Sequence, residues 1–316
     1  MYAIRAATPA DRPGATALLA RAQAVPEQHV GYHGVTVEEI TAELAAVRPT
    51  WASGAAVGVD GDGVVRAVLS VDVDREVGRA WLYGPFVEVP DGHPAERQVW
   101  HNTADDLLDV VLRTPALAGI TDLELYGHRR NRRLGDFAAR HGFAAGSASR
   151  VFTLTGAALR SALVGLAEEP GCGPVRLGKD PLVRRQVGDL HERCFPNRTV
   201  SARQLVEGAR GHTVVTLTGV DGLIGYAAGF IQEEEFSVDY VAVDPNMRSA
   251  GAGRSLVRAL LRELAAEHGA RGRAAAVIAL GNDASERMFT ALGFDLHLEL
   301  VGYRRQEPAA GAVVGW

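Results

Sequence analysis

The stretch Arg248-Ser249-Ala250-Gly251-Ala252-Gly253-Arg254 has the residue types and spacing to hold an anion. It follows a β-rich run at 240–243 that stops at Asp244-Pro245, and it opens onto a long run with apolar residues at Leu256, Val257, Leu260, Leu261 and Leu264. That spacing is the buried stripe of a helix, predicted over 252–268. A helix N-terminus carries backbone N–H groups without intrahelical acceptors and the positive end of the helix dipole. Gly251 and Gly253 add no side chain, so a phosphate can come close to those groups, and Arg248 and Arg254 add fixed positive charge. The implied chemistry is the binding of a pyrophosphate. A nucleotide P-loop would carry Lys-Ser/Thr after the glycines, and a dinucleotide loop would be spaced G-x-G-x-x-G. Neither is present.

A second constellation lies downstream. Asn282 follows a strand-like run at 274–280, and a short helix over 284–292 ends in Leu292-Gly293-Phe294. Upstream, a strand near 236–243 carries Ser237 and Asp239, with Glu235 just before it; period-2 alternation predicts all three on one face. Glu235 and Asp239 are candidate bases, Glu235 first, although Glu233-Glu234-Glu235 also reads as a solvated hairpin turn. Tyr240 is predicted on the opposite face. Asn282 also reads as a plain helix N-cap.

Together these motifs resemble the GCN5-related N-acetyltransferases, whose signature is Arg/Gln-x-x-Gly-x-Gly/Ala after a strand ending in Val-x-Pro. Val243-Asp244-Pro245 and Arg248 to Gly253 match it, and Asn282 with Leu292-Gly293-Phe294 matches the second element of the family. The resemblance covers about 175–305. It implies acetyl-CoA as co-substrate, held by Val241, Ala242, Val243, Arg248, Ser249, Ala250, Gly251, Ala252, Gly253, Arg254, Asn282, Ser285 and Phe289. The strand backbone at Val241 and Val243 would pair with the pantetheine arm, and the Val241 N–H would steady the oxyanion. It also implies direct transfer to a primary amine of a small molecule. The family's usual base, a Glu, falls by register on Ser237, and its usual acid, a Tyr, falls on Phe289. Ser237 could at most orient a water, and Phe289 gives no proton. The alternatives are a catalytically silent acyl-CoA-binding protein or a protein N-acetyltransferase.

The elements that must position these residues occur twice. Asn131 precedes Gly142-Phe143 as Asn282 precedes Gly293-Phe294, each pair shifted by 151 residues. Ile4-Arg5 before Thr8-Pro9 parallels Val175-Arg176 before Asp180-Pro181. An internal duplication follows. The expected layout is α/β, two tandem domains of this family, each a mostly antiparallel twisted sheet flanked by helices, similar to the arrangement of mycothiol synthase. The expected boundaries are a degenerate domain at 1–155, a linker at 156–174, a catalytic domain at 175–306 and a tail at 307–316. After Val89-Pro90 the first copy reads Asp91-Gly92-His93-Pro94-Ala95-Glu96 and has no second phosphate loop, so it is not expected to bind CoA in the usual way.

With 316 residues, 47% of them hydrophobic, the chain is long enough for two cores. A net charge of −5 gives no field for nucleic acid or an anionic membrane. The two cysteines, Cys172 and Cys194, suit reduced thiols. The ten histidines are scattered, so no metal is expected. No apolar run approaches a membrane span and no leader pattern is seen, so a cytoplasmic monomer or homodimer is expected.

Overall fold

The computed structural model describes residues 2–30, 34–76, 78–90, 92–164, 173–196, 200–208, 211–232, 235–247 and 251–306. In chain order these form β1 (Ala3–Ala6), α1 (Arg12–Gln23), α2 (Val37–Ala46), β2 (Ala55–Val59), β3 (Val65–Asp74), β4 (Arg79–Val87), α3 (Glu96–Leu112), β5 (Asp122–His128) and α4 (Arg132–Arg140). Then follow β6 (Ala144–Thr155), α5 (Gly156–Val164), β7 (Val175–Arg176), α6 (Pro181–Cys194), α7 (Ala202–Val206), β8 (Thr213–Gly219), β9 (Gly222–Gln232), β10 (Glu235–Val243), α8 (Ala252–His268), β11 (Arg273–Ala279), α9 (Asp283–Ala291) and β12 (Asp295–Gln306). No helix among the described residues is long and apolar enough to cross a membrane.

Two compact units result: 1–148 with 299–316, and 149–298. In the first, the strand order is β1-β2-β3-β4-β5-β12, antiparallel except for the β4–β5 pair. In the second it is β7-β8-β9-β10-β11-β6, antiparallel except for β10–β11. Both are mixed α/β units with a mostly antiparallel sheet flanked by helices. Their edges differ from those read off the sequence. Residues 149–155 of β6 pair with β11 in the second unit, and residues 300–306 of β12 pair with β5 in the first. Each unit thus completes its sheet with the last strand of the other half of the sequence. The segment expected as a linker contributes α5, which buries Leu159 and Ala162 in the second core. An apolar face on a short segment is better buried than left as tether. Residues 165–172 and the expected tail at 307–316 lie outside the described residues.

In the second unit α8 covers one face of the sheet. Leu256, Val257, Leu260, Leu261 and Leu264 are fully buried there, while Arg254 and Arg258 are exposed. Each such burial stabilises by about 1.5–3 kcal/mol. The other face is covered by α6, whose Val187 and Leu190 share a cluster with Tyr226, Tyr240 and Ala242. Asp180 starts α6 by accepting from the Leu182 N–H at 2.8 Å, satisfying one of the free first-turn donors.

Candidate functional site

β10 pairs with β11 only from Glu235 to Val238, against Arg273 to Ala276, but stays paired with β9 as far as Val243 opposite Gly225. Beyond Val238 the two parallel strands part. The cause is a β-bulge: Val238 lies opposite Gly229 and Tyr240 opposite Ala228, so Asp239 is left over. The bulge reverses the alternation. Phe236 and Val238 are buried in the α8 cluster, whereas Tyr240 and Ala242 are buried in the α6 cluster. Gly229 permits it, because a Cβ there would sit 2.3 Å from the Ser237 carbonyl oxygen.

The parting exposes a backbone edge. The Asp244 N–H donates to the Ile224 carbonyl at 2.8 Å. By strand alternation Tyr240 and Ala242 also face β9, so Val241 and Val243 present their N–H and C=O groups to the gap. A cavity of about 690 Å³ opens along this edge, lined by Val241, Val243, Gly251, Gly253, Arg254 and Met288. A second, of about 300 Å³, shares Val241 and Ser285 with it and reaches Asp239, Tyr240, Phe195 and Phe289. The two adjoin at Val241 and Ser285 and together run as a cleft from the start of α8 to the bulge.

At the start of α8, Gly251 is the N-cap with φ +111° and has no side chain to cap the helix, and the first turn holds no acidic residue. The two glycines have separate tasks. Gly251 takes a backbone conformation that side chains disfavour. Gly253 allows α9 to approach, since a Cβ there would lie 2.5 Å from the Met288 sulfur. Ala252 is buried behind them. Arg248, Ser249 and Ala250 lie outside the described residues.

Asn282 and Ser285 both line the inner cavity, and the Asn282 side chain also caps α9 by accepting from the Ser285 N–H at 3.2 Å. The cap and the cleft position coexist. Phe289 lines the same cavity and stacks edge-on to Phe294 with ring centroids 5.0 Å apart.

The three candidate bases do not share a place. Glu235 pairs with Arg273 at 2.8 Å at the far end of β10, roughly 13 Å along the strand from Asp239 at about 3.3 Å per residue. It does not line the cleft just described, and neither does Ser237. Asp239 does. Its Oδ2 lies 2.9 Å from Nε2 of the buried His212. Contrary to the alternation count, Tyr240 reaches the cleft too. Sequence reasoning missed His212, Phe195 and Tyr240; the sole available signal was Gly229 in the facing strand. The rest of the supposed acidic turn, 233–234, lies outside the described residues. No group of His, Cys, Asp or Glu suited to a metal occurs among the described residues.

The first unit treats the equivalent positions differently. β4 and β5 are parallel from Arg79 to Leu82 and then part. The 151-residue shift maps Gly127 and His128 onto the cleft-lining Ile278 and Ala279. There the Arg129 N–H bonds to Glu299 on the β12 side, while the His128 N–H turns to the opposite edge and donates to the His29 carbonyl at 2.8 Å. Val30 bridges Gly127 on that edge and is 1% exposed. The buried Gln23 amide accepts from the Val30 N–H at 3.1 Å and reaches the Val30 carbonyl at 3.4 Å. The chain's own 29–30 segment therefore lies along the bank of β5 that corresponds to the open bank of β11. The first turn of α3 also holds a carboxylate, Glu96, paired with Arg133.

A known family resembles this chain in sequence over part of its length, and known structures resemble it in fold over nearly all of it. Residues 184–294 match the sequence model of the Acetyltransferase (GNAT) family. No curated protein matches the chain in sequence. A GCN5-related N-acetyltransferase from Sphaerobacter thermophilus is similar in structure, with TM-score 0.62 and 16% identity over 98% of this chain and 96% of that one. A tandem GNAT protein from the clavulanic acid biosynthesis pathway aligns over 98% of this chain and 99% of its own, with TM-score 0.56 and 16% identity. The cleft-bearing segment thus belongs to the GNAT acetyltransferase family, within a chain that has the tandem GNAT fold over nearly its whole length.

Proposed function

We propose that this protein transfers an acetyl group from acetyl-CoA to a primary amine of a small molecule, in the second unit alone. The observation that carries this is the cleft between β10 and β11, from the glycine-led start of α8 to Asp239.

The α8 N–H groups hold the pyrophosphate, assisted by Arg254. The Val241 and Val243 backbone groups pair with the pantetheine arm as a strand would. The Val241 N–H then meets the thioester oxygen as charge develops on it. The amine attacks the carbonyl carbon, the N–C bond forms and the C–S bond breaks. Asp239 removes the amine proton, a step general bases accelerate by about 10²–10⁴. Phe289 has no proton to give, so the CoA thiolate takes one from water. The first unit binds no CoA, because its own chain lines the corresponding edge.

Titration calorimetry with CoA tests this. The expected result is one CoA per chain, with binding lost in Gly251→Val and circular dichroism unchanged. Two equivalents, or undiminished binding by the variant, would refute it. The second reading, a CoA-binding protein without turnover, is favoured by Phe289. Thiol release from acetyl-CoA with an amine panel decides between them.

A further inference from the structure

Past the bulge, the cleft leaves the CoA-holding edge and emerges on the opposite face of the sheet. Ala276 and Ile278 of β11 are buried beneath the helices, so Val277 and Ala279 point the other way. Val277 is 65% exposed; it pairs with Val151 of β6 on one side and lies just past the last pair with β10 on the other. It lines the cleft with Ser149, Phe195, Tyr240 and Ala279, around Asp239. Phe195 and Tyr240 meet edge to face, with centroids 5.0 Å apart. Asp239 is the one charged side chain among the described residues lining this cavity.

From this wall we infer that the acceptor is a monoamine with an apolar, aryl or alkyl, body. The inference deepens the N-acetyltransferase reading and rests on it. One carboxylate meets one ammonium. A polyamine would bring further ammonium groups against Phe195, Tyr240 and Val277, where they lose water and where the described lining residues hold no second carboxylate for them. A phosphorylated amine would need a cation, and the described lining residues supply none. A hydrocarbon or ring, in contrast, covers Val277 and the edges of the two aromatic rings. The surface is continuous with the cleft and ends at the carboxylate, which fixes which end of the ligand enters.

The test is calorimetric binding of 2-phenylethylamine, spermidine and glucosamine 6-phosphate to protein saturated with CoA, which cannot react. Phenylethylamine is expected to bind tighter than the other two by about tenfold or more, the scale of a few methylene contacts. Val277→Asp, at an exposed site, is expected to weaken it by about tenfold and to leave CoA affinity unchanged. Tighter binding of spermidine or glucosamine 6-phosphate, no binding of any amine to the CoA-saturated protein, or an unaltered Val277→Asp would overturn the inference. Failure of CoA itself to bind would overturn the underlying reading and this inference with it, so the two failures are distinct.

Discussion

Asp239 sits where it does because one extra residue was accommodated in β10, and the extra residue is itself the carboxylate. His212, held against it at 2.9 Å, fixes its orientation within the cleft. If Asp239 takes the amine proton, Asp239→Asn should reduce kcat/KM about 10²–10⁴-fold, by the usual worth of a general base, and leave the CoA dissociation constant alone. Steady-state kinetics beside calorimetry would show it, and a loss under threefold would remove Asp239 from the mechanism. Glu235, ranked ahead of Asp239 by residue spacing, makes a useful contrast. It is occupied with Arg273, and Glu235→Gln should leave kcat/KM nearly unchanged. The cleft-lining Gly251, Gly253 and Arg254 were legible in the sequence as candidates because glycines and an arginine at the head of an amphipathic run mark a helix start suited to phosphate. The order of the candidate bases was not, because a period-2 count placed Glu235, Ser237 and Asp239 together and fails at an unannounced bulge.

At the scale of elements, the site depends on β9 being slim opposite a swollen β10. Gly229→Val would put its Cβ 2.3 Å from a backbone oxygen, which cannot move aside as a side-chain end can. Overpacking of this kind costs about 1–3 kcal/mol. The melting temperature should fall by roughly 2–12 °C, on a scale of about 2–4 °C per kcal/mol for units of this size class. CoA affinity should fall as the strands are pulled together. A variant of unchanged melting temperature and affinity would show that the bulge does not need that glycine. Gly253→Ala should be milder, because the atom it meets is the flexible Met288 sulfur. Helix α8 was read from its stripe with the same ends, Ala252–His268, since apolar periodicity and an exposed arginine face leave little choice. Helix α5 was not read, because its short run beside a Gly/Pro-rich segment carries only two buried residues, Leu159 and Ala162.

Over the whole molecule, the repeated Asn and Gly-Phe markers were enough to show two copies of one plan. They could not show that the copies trade their last strands, because a strand's sequence records which faces it buries and not whose neighbour it becomes. The trade changes what a chain break would do. Residues 1–164 made alone would leave β5 without its β12 partner, a bare edge of the kind that invites aggregation. Residues 173–306 made alone would lack β6 beside β11 and the Phe152, Leu154 and Leu159 side chains of its core.

The exchange therefore makes the protein a natural two-piece lock. Severed between 165 and 172, it should behave as a pair of fragments that are insoluble apart and fold only when co-expressed, a tag on one recovering the other. A soluble, cooperatively melting 1–164 fragment would show that the traded strands are ornaments to halves that could already stand by themselves.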